Sequence, residues 1–538
     1  MAELLDQIKL LKTGCSADCS GILAEMIKVD SHHLRVSLLH LFNGVLRSGL
    51  TPSQWKQTVL VVIFKDGDAQ LPKNYRPISI IPIIYKLFSR LLLARVRPIL
   101  DAAQSRDQAG FRSGFSVEDH LFTTTLLFEK SQEWQASFWC ATLDFKKAFD
   151  TVHHSKLWDS LRQQGLPECY VALLARLYAS QTAQVNIGGI LSREFGICRG
   201  VRQGDPISPT LFNAALEAIM VVCKAKWQCL GYGLDVADKL GEYLTNLRFA
   251  DDVILFASSL AELHRMLADV IQEARSFGLE LHPDKTKILS NVRRRRGMES
   301  WQYTKVLGMN IDILPLEGST KYLGRLLGFS AYHENEISHR INMGWKKFRV
   351  YKHILCLKSI SLQKRLKLFD QTITPTVLYG SSTWTMKEDT KQKLKKTQRH
   401  MLRTILQHGR RRLVAETSSN STSSSTASSS EDALESWVDW IKRVTAEVEH
   451  ECARCGIDDW VDQQRKMKLR WAGHLARRLD ERWAKVLLNW SPDSQLSRRR
   501  MQGHPKKRWA DDVEVIPDWK EKAQDRAQWR LLTERMAT

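Results

Sequence analysis

The sequence lacks any apolar run close to the length of about 20 residues that a membrane-spanning helix needs. Its first residues, MAELLDQIKLLK, mix charged and apolar side chains, whereas a secretory signal peptide starts basic and continues apolar. We therefore expect an intracellular protein of the nucleus and cytoplasm, with no membrane partner. In these reducing compartments the 10 cysteines are predicted to stay free thiols instead of forming a disulfide framework.

Acidic residues are too few to balance the basic ones. The chain has 80 Lys and Arg against 59 Asp and Glu, a formal net charge of +21 at pH 7. Such an excess attracts polyanions at physiological salt, so nucleic acid is the first expected partner. Taken singly, a basic run is equally typical of a solvated face and of a nuclear address. The runs lie in separate regions and so do not form one basic tail: 293–296, 410–412, 498–500 and 506–508.

The patterns along the chain divide it into a mixed part and a helical part. At 538 residues the chain is long enough for about three domains. Strand patterns alternate with helical ones at first, which indicates an α+β or α/β domain. After about residue 335 only basic helical patterns follow. The clearest strand patterns are 55–64, 137–145 and 247–256, and the clearest helical ones are 83–96, 153–164 and 211–223.

Carboxylates occur at the ends or turns of two predicted strands. Asp251 and Asp252 lie where we predict a strand, a tight turn and a second strand. Adjacent carboxylates repel each other, and a divalent metal such as Mg²⁺, which prefers hard oxygen ligands, offsets that repulsion. Alone, the two acids are more typical of a solvated turn. Asp144 ends another strand, so the three carboxylates converge if the strands are neighbours in one sheet.

Seven motifs in order resemble those of reverse transcriptases encoded by LINE-type, or non-LTR, retrotransposons. The resemblance covers roughly residues 46 to 330 and is too extended to arise from isolated short matches. The palm motifs are 143–150 (LDFKKAFD), 202–209 (RQGDPISP), 249–252 (FADD), 278–281 (GLEL) with 285–287 (KTK), and 321–324 (KYLG). The fingers motifs are Lys65 with 74–79 (NYRPIS), and 108–112 (QAGFR).

The resemblance implies an α+β right-hand polymerase with fingers, palm and thumb, followed by a helical C-terminal extension. Because the chain begins directly with this region, we interpret it as a polymerase region without the N-terminal endonuclease. The nearly pure Ser/Thr segment at 417–430 is too polar to form a core and predicts disorder. The expected boundaries are 1–45 N-terminal extension, 46–330 fingers and palm, 331–410 helical thumb, 411–432 disordered linker, and 433–538 basic Trp-rich module.

The same resemblance implies a two-metal centre. Asp144 and Asp251 would bridge two Mg²⁺ ions, with Mn²⁺ as a possible substitute, Asp252 would assist, and the backbone carbonyl of Phe145 would complete a ligand shell. Ions about 3.5 to 4 Å apart activate a primer 3′-hydroxyl and stabilise the leaving pyrophosphate. Lys285 is a candidate proton donor to pyrophosphate, and a solvated turn lysine is an equally good interpretation.

Further residues are implied to bind substrates: an RNA template, a DNA primer or target DNA, and dNTPs. Phe149 resembles the steric gate that leaves no room for a ribose 2′-hydroxyl. Gln203 and Gly204 resemble the loop beside the template base and the incoming nucleotide, although an ordinary helix-entry turn fits as well. Arg76 and Lys65 would contact the triphosphate. The oligomeric state is left open.

Two other functions remain open from the sequence. A catalytically silent retroelement remnant that only binds nucleic acid would fit the Ser/Thr insertion, but the intact carboxylates speak against it. An intron-maturase-like reverse transcriptase is the other alternative. The FADD form at 249–252 and the C-terminal segments WAGH at 471–474 and GHPKKRW at 503–509 favour the retrotransposon group.

Some features depart from the family pattern or match it poorly. Residues 15–22 (CSADCSGI) only loosely resemble the family's N-terminal motif, which leaves template handling by this segment in doubt. Cys452 and Cys455, with His450 and His474 nearby, fit no standard zinc spacing, so a structural role is favoured over a zinc knuckle. The Trp-rich basic C-terminus is equally typical of nucleic-acid stacking and of a small helical core with basic edges.

Overall fold

A computed structural model of the chain describes residues 1–65, 67–236, 242–292, 302–412, 434–491 and 506–536. Contacts divide the chain into two compact units. The first, here the sheet unit, comprises 1–123, 130–323 and 481–499; the second, the helical unit, comprises 124–129, 324–480 and 500–538. The basic runs 293–296 and 498–500, and the predicted Ser/Thr linker from residue 413 onward, lie outside the described residues.

Strands are confined to the first part of the described chain. They are β1 (Gln57–Phe64), β2 (Tyr75–Ile80), β3 (Trp139–Leu143), β4 (Gln181–Ile187), β5 (Ile190–Leu191), β6 (Phe195–Ile197), β7 (Leu234–Asp235), β8 (Tyr243–Leu244), β9 (Asn246–Phe249), β10 (Asp252–Ala257), β11 (Lys287–Ser290), β12 (Tyr303–Val306), β13 (Met309–Ile313), β14 (Thr320–Tyr322) and β15 (Arg325–Leu327).

Helices occur throughout. They are α1 (Ala2–Lys9), α2 (Ala24–Lys28), α3 (His32–Ser48), α4 (Ile83–Ala103), α5 (Val117–Glu133), α6 (Ala148–Thr151), α7 (His154–Gln163), α8 (Glu168–Tyr178), α9 (Ser208–Leu230), α10 (Leu260–Ser276), α11 (Tyr332–Leu355), α12 (Leu362–Thr372), α13 (Thr374–Val377), α14 (Glu388–Leu406), α15 (Trp437–Cys455), α16 (Trp460–Ala476), α17 (Trp483–Asn489), α18 (Asp511–Glu514), α19 (Trp519–Lys522) and α20 (Arg526–Met536).

The main sheet of the sheet unit has the strand order β12-β13-β11-β3-β10-β9. Every residue of β3 is buried, which explains why its sequence, WCATL, does not alternate between polar and apolar residues. Helices α9 and α10 pack on each other, and α10 also packs on β10 and β3. The strand predicted at 137–145 is thereby confirmed, and the pattern at 247–256 is the hairpin β9–β10. The mixed α+β class is confirmed as well.

A second sheet carries the predicted fingers residues. Its order is β2-β1-β4-β5, with β6 also paired to β4. Strands β1 and β2 are antiparallel, with Ile63 opposite Arg76, and β4 runs parallel to β1. Lys65 follows β1 directly, and its backbone N–H donates to the carbonyl of Asn74 at 2.9 Å. Lys65 and Arg76 therefore lie at the same end of this sheet.

After β15, the secondary structure of the described part of the helical unit consists of helices joined by loops. Buried apolar residues of α11, α12, α14, α15 and α16 form one core, from Ile337 through Leu366 and Leu394 to Trp460. Within 434–480, residues from Val444 to Trp460 therefore share a core with the predicted thumb. Residues 324–480 and 500–538 group with the helical unit and 481–499 with the sheet unit, while the predicted domain boundaries stay predictions.

Cys452 lies on the buried face of α15, within this core, at 8% exposure. Burial raises the pKa of its thiol to about 12, so it stays protonated at neutral pH. The structure finds no group of three or more His, Cys, Asp or Glu side chains suited to a metal ion within the ranges it describes. The burial of Cys452 within the core favours its structural interpretation. Across those same ranges, no helix has the length and hydropathy required to cross a bilayer.

Trp460 provides a test of the shared core. Its fully buried ring stacks on Phe369 with centroids 5.9 Å apart, and its indole N–H donates to Thr374 Oγ1 at 2.9 Å. Trp460→Ala should destabilise the helical unit by about 3 to 5 kcal/mol, because it leaves a large cavity and an unpaired hydroxyl. Amide hydrogen exchange of α11, α12 and α14 in the full chain measures this loss.

The matched control is Trp437→Ala, since the Trp437 side chain is 62% exposed at the start of α15. This change should lower the free energy of unfolding by less than about 1 kcal/mol. Unchanged exchange of α11 and α14 in Trp460→Ala would contradict a core shared between the predicted thumb and residues 434–480.

Candidate active site

The hairpin β9–β10 carries Asp251 and Asp252 at its tip. Phe249 pairs with Asp252, so the connecting loop contains only Ala250 and Asp251. Ala250 has φ of +56°, a left-handed conformation that short hairpin loops require and that is strained for a side chain with a Cβ. Surrounding structure must therefore hold this turn. Two adjacent carboxylates are presented at the end of the hairpin as a result.

Strand register brings Asp144 to the same place. Val253 of β10 pairs antiparallel with Leu143 of β3, so the next residues along the two strands are Asp252 and Asp144. The pKa of Asp252 is raised to about 6, mainly by burial and secondly by repulsion from Asp251 and Asp144. Burial and the charge of Asp144 also raise the pKa of Asp251. The three carboxylates are thus close enough to repel one another.

The donor set fits a divalent cation in its chemistry. Clustered carboxylates that repel one another gain most from a doubly charged ion with a preference for oxygen ligands. Among the residues that the structure describes, no three or more His, Cys, Asp or Glu side chains are already arranged to bind one metal ion. The bridging roles of Asp144 and Asp251 and the liganding carbonyl of Phe145 therefore stay predictions.

Residues 280–287 place Lys285 beside Asp144. The N–H of His282 donates to the carbonyl of Asp144 at 2.7 Å, and Phe145 and Leu281 form an antiparallel bridge. These contacts fix the segment to the end of β3. The Lys285 Nζ lies 3.5 Å from Asp144 Oδ2, in an ion pair whose side chains are 56% and 39% exposed. Its predicted role as a proton donor is not tested by this contact.

Basic side chains at one end of the second sheet influence the pKa of the nearby carboxylates. Burial raises the pKa of Asp251, and the positive charges of Arg76 and Lys65 lower it. Arg76 has the same effect on Asp150, whose pKa burial also raises. Lys65 and Arg76 therefore supply positive charge near the acidic hairpin, as expected for groups that would contact a triphosphate.

Loop residues 200–207 contact strand β2 on one side and helix α6 on the other. Gln203 donates through Nε2 to Asp150 Oδ1 at 2.9 Å, and its carbonyl accepts from the N–H of Ser79 in β2 at 2.8 Å. Gly204 has φ of +119°, and a Cβ added there would lie 2.8 Å from the carbonyl oxygen of Ser79. Glycine is required at this position because the two backbones are so close.

Phe149 lies beside that loop. Its ring stacks on Phe212 of α9 with centroids 4.5 Å apart and planes 19° from parallel. Its carbonyl accepts from the N–H of Val201 at 2.7 Å. The half-buried ring is therefore held in place next to Gln203 and Asp150. This placement is compatible with the predicted steric gate and does not test it.

Sequence reasoning assigned no role to Gln108 and Gly110, although both lie in the predicted fingers motif. Gln108 Oε1 accepts from the N–H of Ala250 at 3.1 Å and from that of Gly110 at 2.9 Å. A Cβ added to Gly110 would lie 2.3 Å from the backbone nitrogen of Ala250. These residues support the strained turn. The short QAG string was the available signal, but its contact is about 140 residues away in the sequence.

Asp205 and Arg202 are two more buried groups whose roles the sequence did not indicate. The Asp205 carboxylate accepts from the Tyr85 hydroxyl at 2.5 Å and also from the Ser89 hydroxyl. The Arg202 guanidinium lies 5.0 Å from the centroid of the Tyr85 ring and 5.8 Å from that of Tyr178. These contacts anchor the start of α9, and with it the 200–207 loop, to α4 and α8.

Asp18, in the segment that matches the family poorly, has a structural contact. Its carboxylate accepts from the N–H of Ile83, the first residue of α4, at 2.7 Å, and from the N–H groups of Ser20 and Ile22. A carboxylate at a helix N-terminus satisfies an otherwise unpaired donor and interacts favourably with the helix dipole. Asp18 thus connects the N-terminal segment to α4.

Antiparallel strands that carry three clustered carboxylates, with basic residues acting on them and a glycine loop beside them, are typical of a palm-fold nucleotidyl polymerase. Residues 63–325 match the family described as reverse transcriptase (RNA-dependent DNA polymerase). A putative transposon-derived protein of Caenorhabditis elegans is 30% identical over 55% of this chain and 98% of its own length. The chain therefore belongs to the reverse transcriptases, in the group encoded by non-LTR retrotransposons.

Other relatives are longer proteins of mobile elements. The retrovirus-related Pol polyprotein of the type-1 retrotransposable element R2 from Popillia japonica is 27% identical over 64% of this chain and 46% of that polyprotein. The probable RNA-directed DNA polymerase from transposon X-element of Drosophila melanogaster is 28% identical over 64% of this chain and 37% of its own length. The chain thus spans less than half the length of these relatives. Reverse transcriptases use divalent metal ions and a nucleic-acid template and primer.

Gly110→Ala tests the support of the acidic hairpin. The added methyl group would collide with the backbone of Ala250, so the turn must move by about 1 Å, and catalysis should fall by about 100-fold. Primer extension measures the loss, and thermal unfolding shows whether the fold survives. Gly165→Ala is the control, because Gly165 also has a positive φ of +81° but an added Cβ there meets nothing within 4 Å. Equal losses in both variants would contradict the assigned role of Gly110.

Proposed function

We propose that this chain is an RNA-directed DNA polymerase of a LINE-type retroelement that adds dNTPs to the 3′-hydroxyl of a primer. The observation that carries the proposal is the register of β3 and β10, which brings Asp144 next to the Asp251–Asp252 turn. Burial and then the charges of Asp251 and Asp144 raise the pKa of Asp252, which supports a site that gains from a bound cation. Bound Mg²⁺, or Mn²⁺ in its place, would activate the attacking hydroxyl and neutralise charge on the pyrophosphate.

The chain's own residues bind and orient the reactants. Asp144, Asp251 and Asp252 would hold the ions, and Lys65 and Arg76 would bind the triphosphate through charge and hydrogen bonds. In the reaction the primer oxygen forms a bond to the α-phosphorus, and the bond from that phosphorus to pyrophosphate breaks. Lys285, whose Nζ lies 3.5 Å from Asp144 Oδ2, would give a proton to the leaving group.

The proposed macromolecular substrates are an RNA template and a DNA primer or target DNA, with dNTPs as nucleotide donors. The net charge of +21 supports polyanionic partners. Deoxynucleotide selection would depend on Phe149, whose stacked ring lies beside the loop tied to Asp150. We further propose that the protein acts in the nucleus and cytoplasm, where an element's RNA and its target DNA are found.

Primer extension on poly(rA) with an oligo(dT) primer, dTTP and Mg²⁺ tests the activity. Asp144→Asn and the double change Asp251→Asn, Asp252→Asn should each lower extension by at least about 1000-fold, because the ligands lose their charge. Asp284→Asn is the matched control, since the Asp284 side chain is 91% exposed. Chelation of divalent ions should abolish wild-type extension, and Mg²⁺ and Mn²⁺ added back separately would identify the ion.

The outcomes separate the proposal from its alternative. Extension by the wild type that the carboxylate variants lose would establish an RNA-templated DNA polymerase. A wild-type chain that binds RNA without extending the primer would instead indicate a catalytically silent remnant.

Phe149→Val tests selection against ribonucleotides. The smaller side chain would leave room for a 2′-hydroxyl, so the ratio of rUTP to dTTP incorporation should rise by about tenfold or more. Single-nucleotide incorporation kinetics with each substrate give this ratio. Phe195→Val, on β6 and 44% exposed, is the control and should leave the ratio unchanged. An unchanged ratio in Phe149→Val would contradict the steric-gate role.

A further inference from the structure

Residues 481–491, which contain α17, belong to the sheet unit, although residues 324–480 just before them in the chain belong to the helical unit. Trp483 is 3% exposed, and its indole Nε1–H donates to Asp107 Oδ1 at 2.7 Å. The guanidinium of Arg106 lies 3.7 Å from the centroid of the same ring. This segment therefore contacts the loop that follows α4 through a buried hydrogen bond and a stacked cation.

A second pair of contacts holds the other end of that loop. Arg482 is 2% exposed and donates to Asp119 Oδ1 at 2.8 Å and to the carbonyl of Gly114 at 3.1 Å. Its guanidinium also lies 4.5 Å from the centroid of the Phe115 ring. Charge-assisted hydrogen bonds between buried groups are costly to break, because each partner would be left as an unpaired ion. Residues 107–119 are thus held at both ends by neighbouring residues of one segment.

The held loop pairs with the acidic hairpin. The carbonyl of Asp107 accepts from the N–H of Arg248 at 2.7 Å, and the carbonyl of Arg248 accepts from the N–H of Ala109 at 2.9 Å. Residues 107–109 thereby extend the edge of β9, and Gln108 between them accepts from the N–H of Ala250. A continuous set of hydrogen bonds therefore leads from the indole of Trp483 to the residue before Asp251.

The Asp107 side chain makes this connection sensitive to loss of the indole. It is 1% exposed and also accepts from Lys224, and its carboxylate lies near Arg248. A buried carboxylate that loses one donor must find another or move, and movement of Asp107 carries Gln108 with it. The left-handed turn at Ala250 is the element that would respond, because its conformation depends on surrounding contacts.

We propose that Arg482 and Trp483, at the start of the segment 481–491, position the catalytic hairpin by acting through Asp107, Gln108 and Ala250. A segment far downstream in the chain thus completes the polymerase centre. This inference rests on the proposed polymerase activity for its kinetic consequence, but the position of the hairpin is measurable without that activity.

Trp483→Phe in the full chain removes the indole N–H and keeps an aromatic ring for Arg106. It should lower kcat for dTTP incorporation by about tenfold, because the carboxylates are displaced while substrate contacts remain. KM for dTTP and affinity for the template–primer should stay within about twofold, since neither Lys65 nor Arg76 is touched. Hydrogen exchange of the peptide containing Ala250 should become at least about tenfold faster.

Trp490→Phe is the matched control within the same segment. The Lys130 Nζ lies 5.5 Å from the centroid of its ring, whereas the hydrogen bonds that connect α17 to Ala250 start at Trp483 and run through Asp107 and Gln108. It should leave kcat and exchange at Ala250 unchanged. Gln108→Ala, alone and combined with Trp483→Phe, tests the path. If both residues act on the same turn, the double variant should lose little more kcat than the more severe single variant.

Three results would overturn the inference in a wild-type chain that polymerises: unchanged kcat and exchange in Trp483→Phe, the same loss in Trp490→Phe, or a double variant whose losses multiply. Thermal unfolding separates positioning from general stability, because a lower Tm with unchanged kcat also counts against positioning. If the wild type does not polymerise, the proposed function fails, and exchange at Ala250 in Trp483→Phe still decides whether the segment holds the hairpin.

Discussion

Repulsion among Asp144, Asp251 and Asp252 is the constraint on which the rest of the sheet unit depends. Burial and neighbouring negative charge raise the pKa of Asp252 to about 6, so the cluster disfavours its own ionised form. Buried strand pairing holds these residues together against their repulsion. All of β3 is buried, and β10 pairs with it over five residue pairs. A slip of one residue would turn the carboxylates to the opposite face.

The structure supports this cluster from several directions within one unit. Lys285 contacts Asp144, while Lys65 and Arg76 act on Asp251. Gln108 holds the turn itself by accepting the N–H of Ala250. The basic side chains offset negative charge, and the amide side chain fixes geometry, so the two kinds of support are not interchangeable. A polymerase needs both, because ions bind only where charge and position agree.

Local patterns allowed much of this to be predicted. The apolar run before Asp144 and the acidic turn at 251–252 identified β3, β9 and β10, since strand periodicity and turn chemistry are local properties. Helix α4 was placed correctly at its start but extends to Ala103, seven residues beyond the predicted end. The partners of Asp205, Tyr85 and Ser89, lie 116 to 120 residues away, and no local pattern encodes such a pairing.

The C-terminal region shows the same limit more clearly. Its many tryptophans predicted either nucleic-acid stacking or a small separate core, because composition does not specify which surface a side chain covers. Trp460 is buried in the helical unit, whereas Trp483 is buried against Asp107 in the sheet unit. Since synthesis proceeds from the N-terminus, the loop at 107–119 cannot gain its contacts to Arg482 and Trp483 until the helical unit between them has been made. The acidic hairpin is therefore fully supported only in a chain that extends at least to α17.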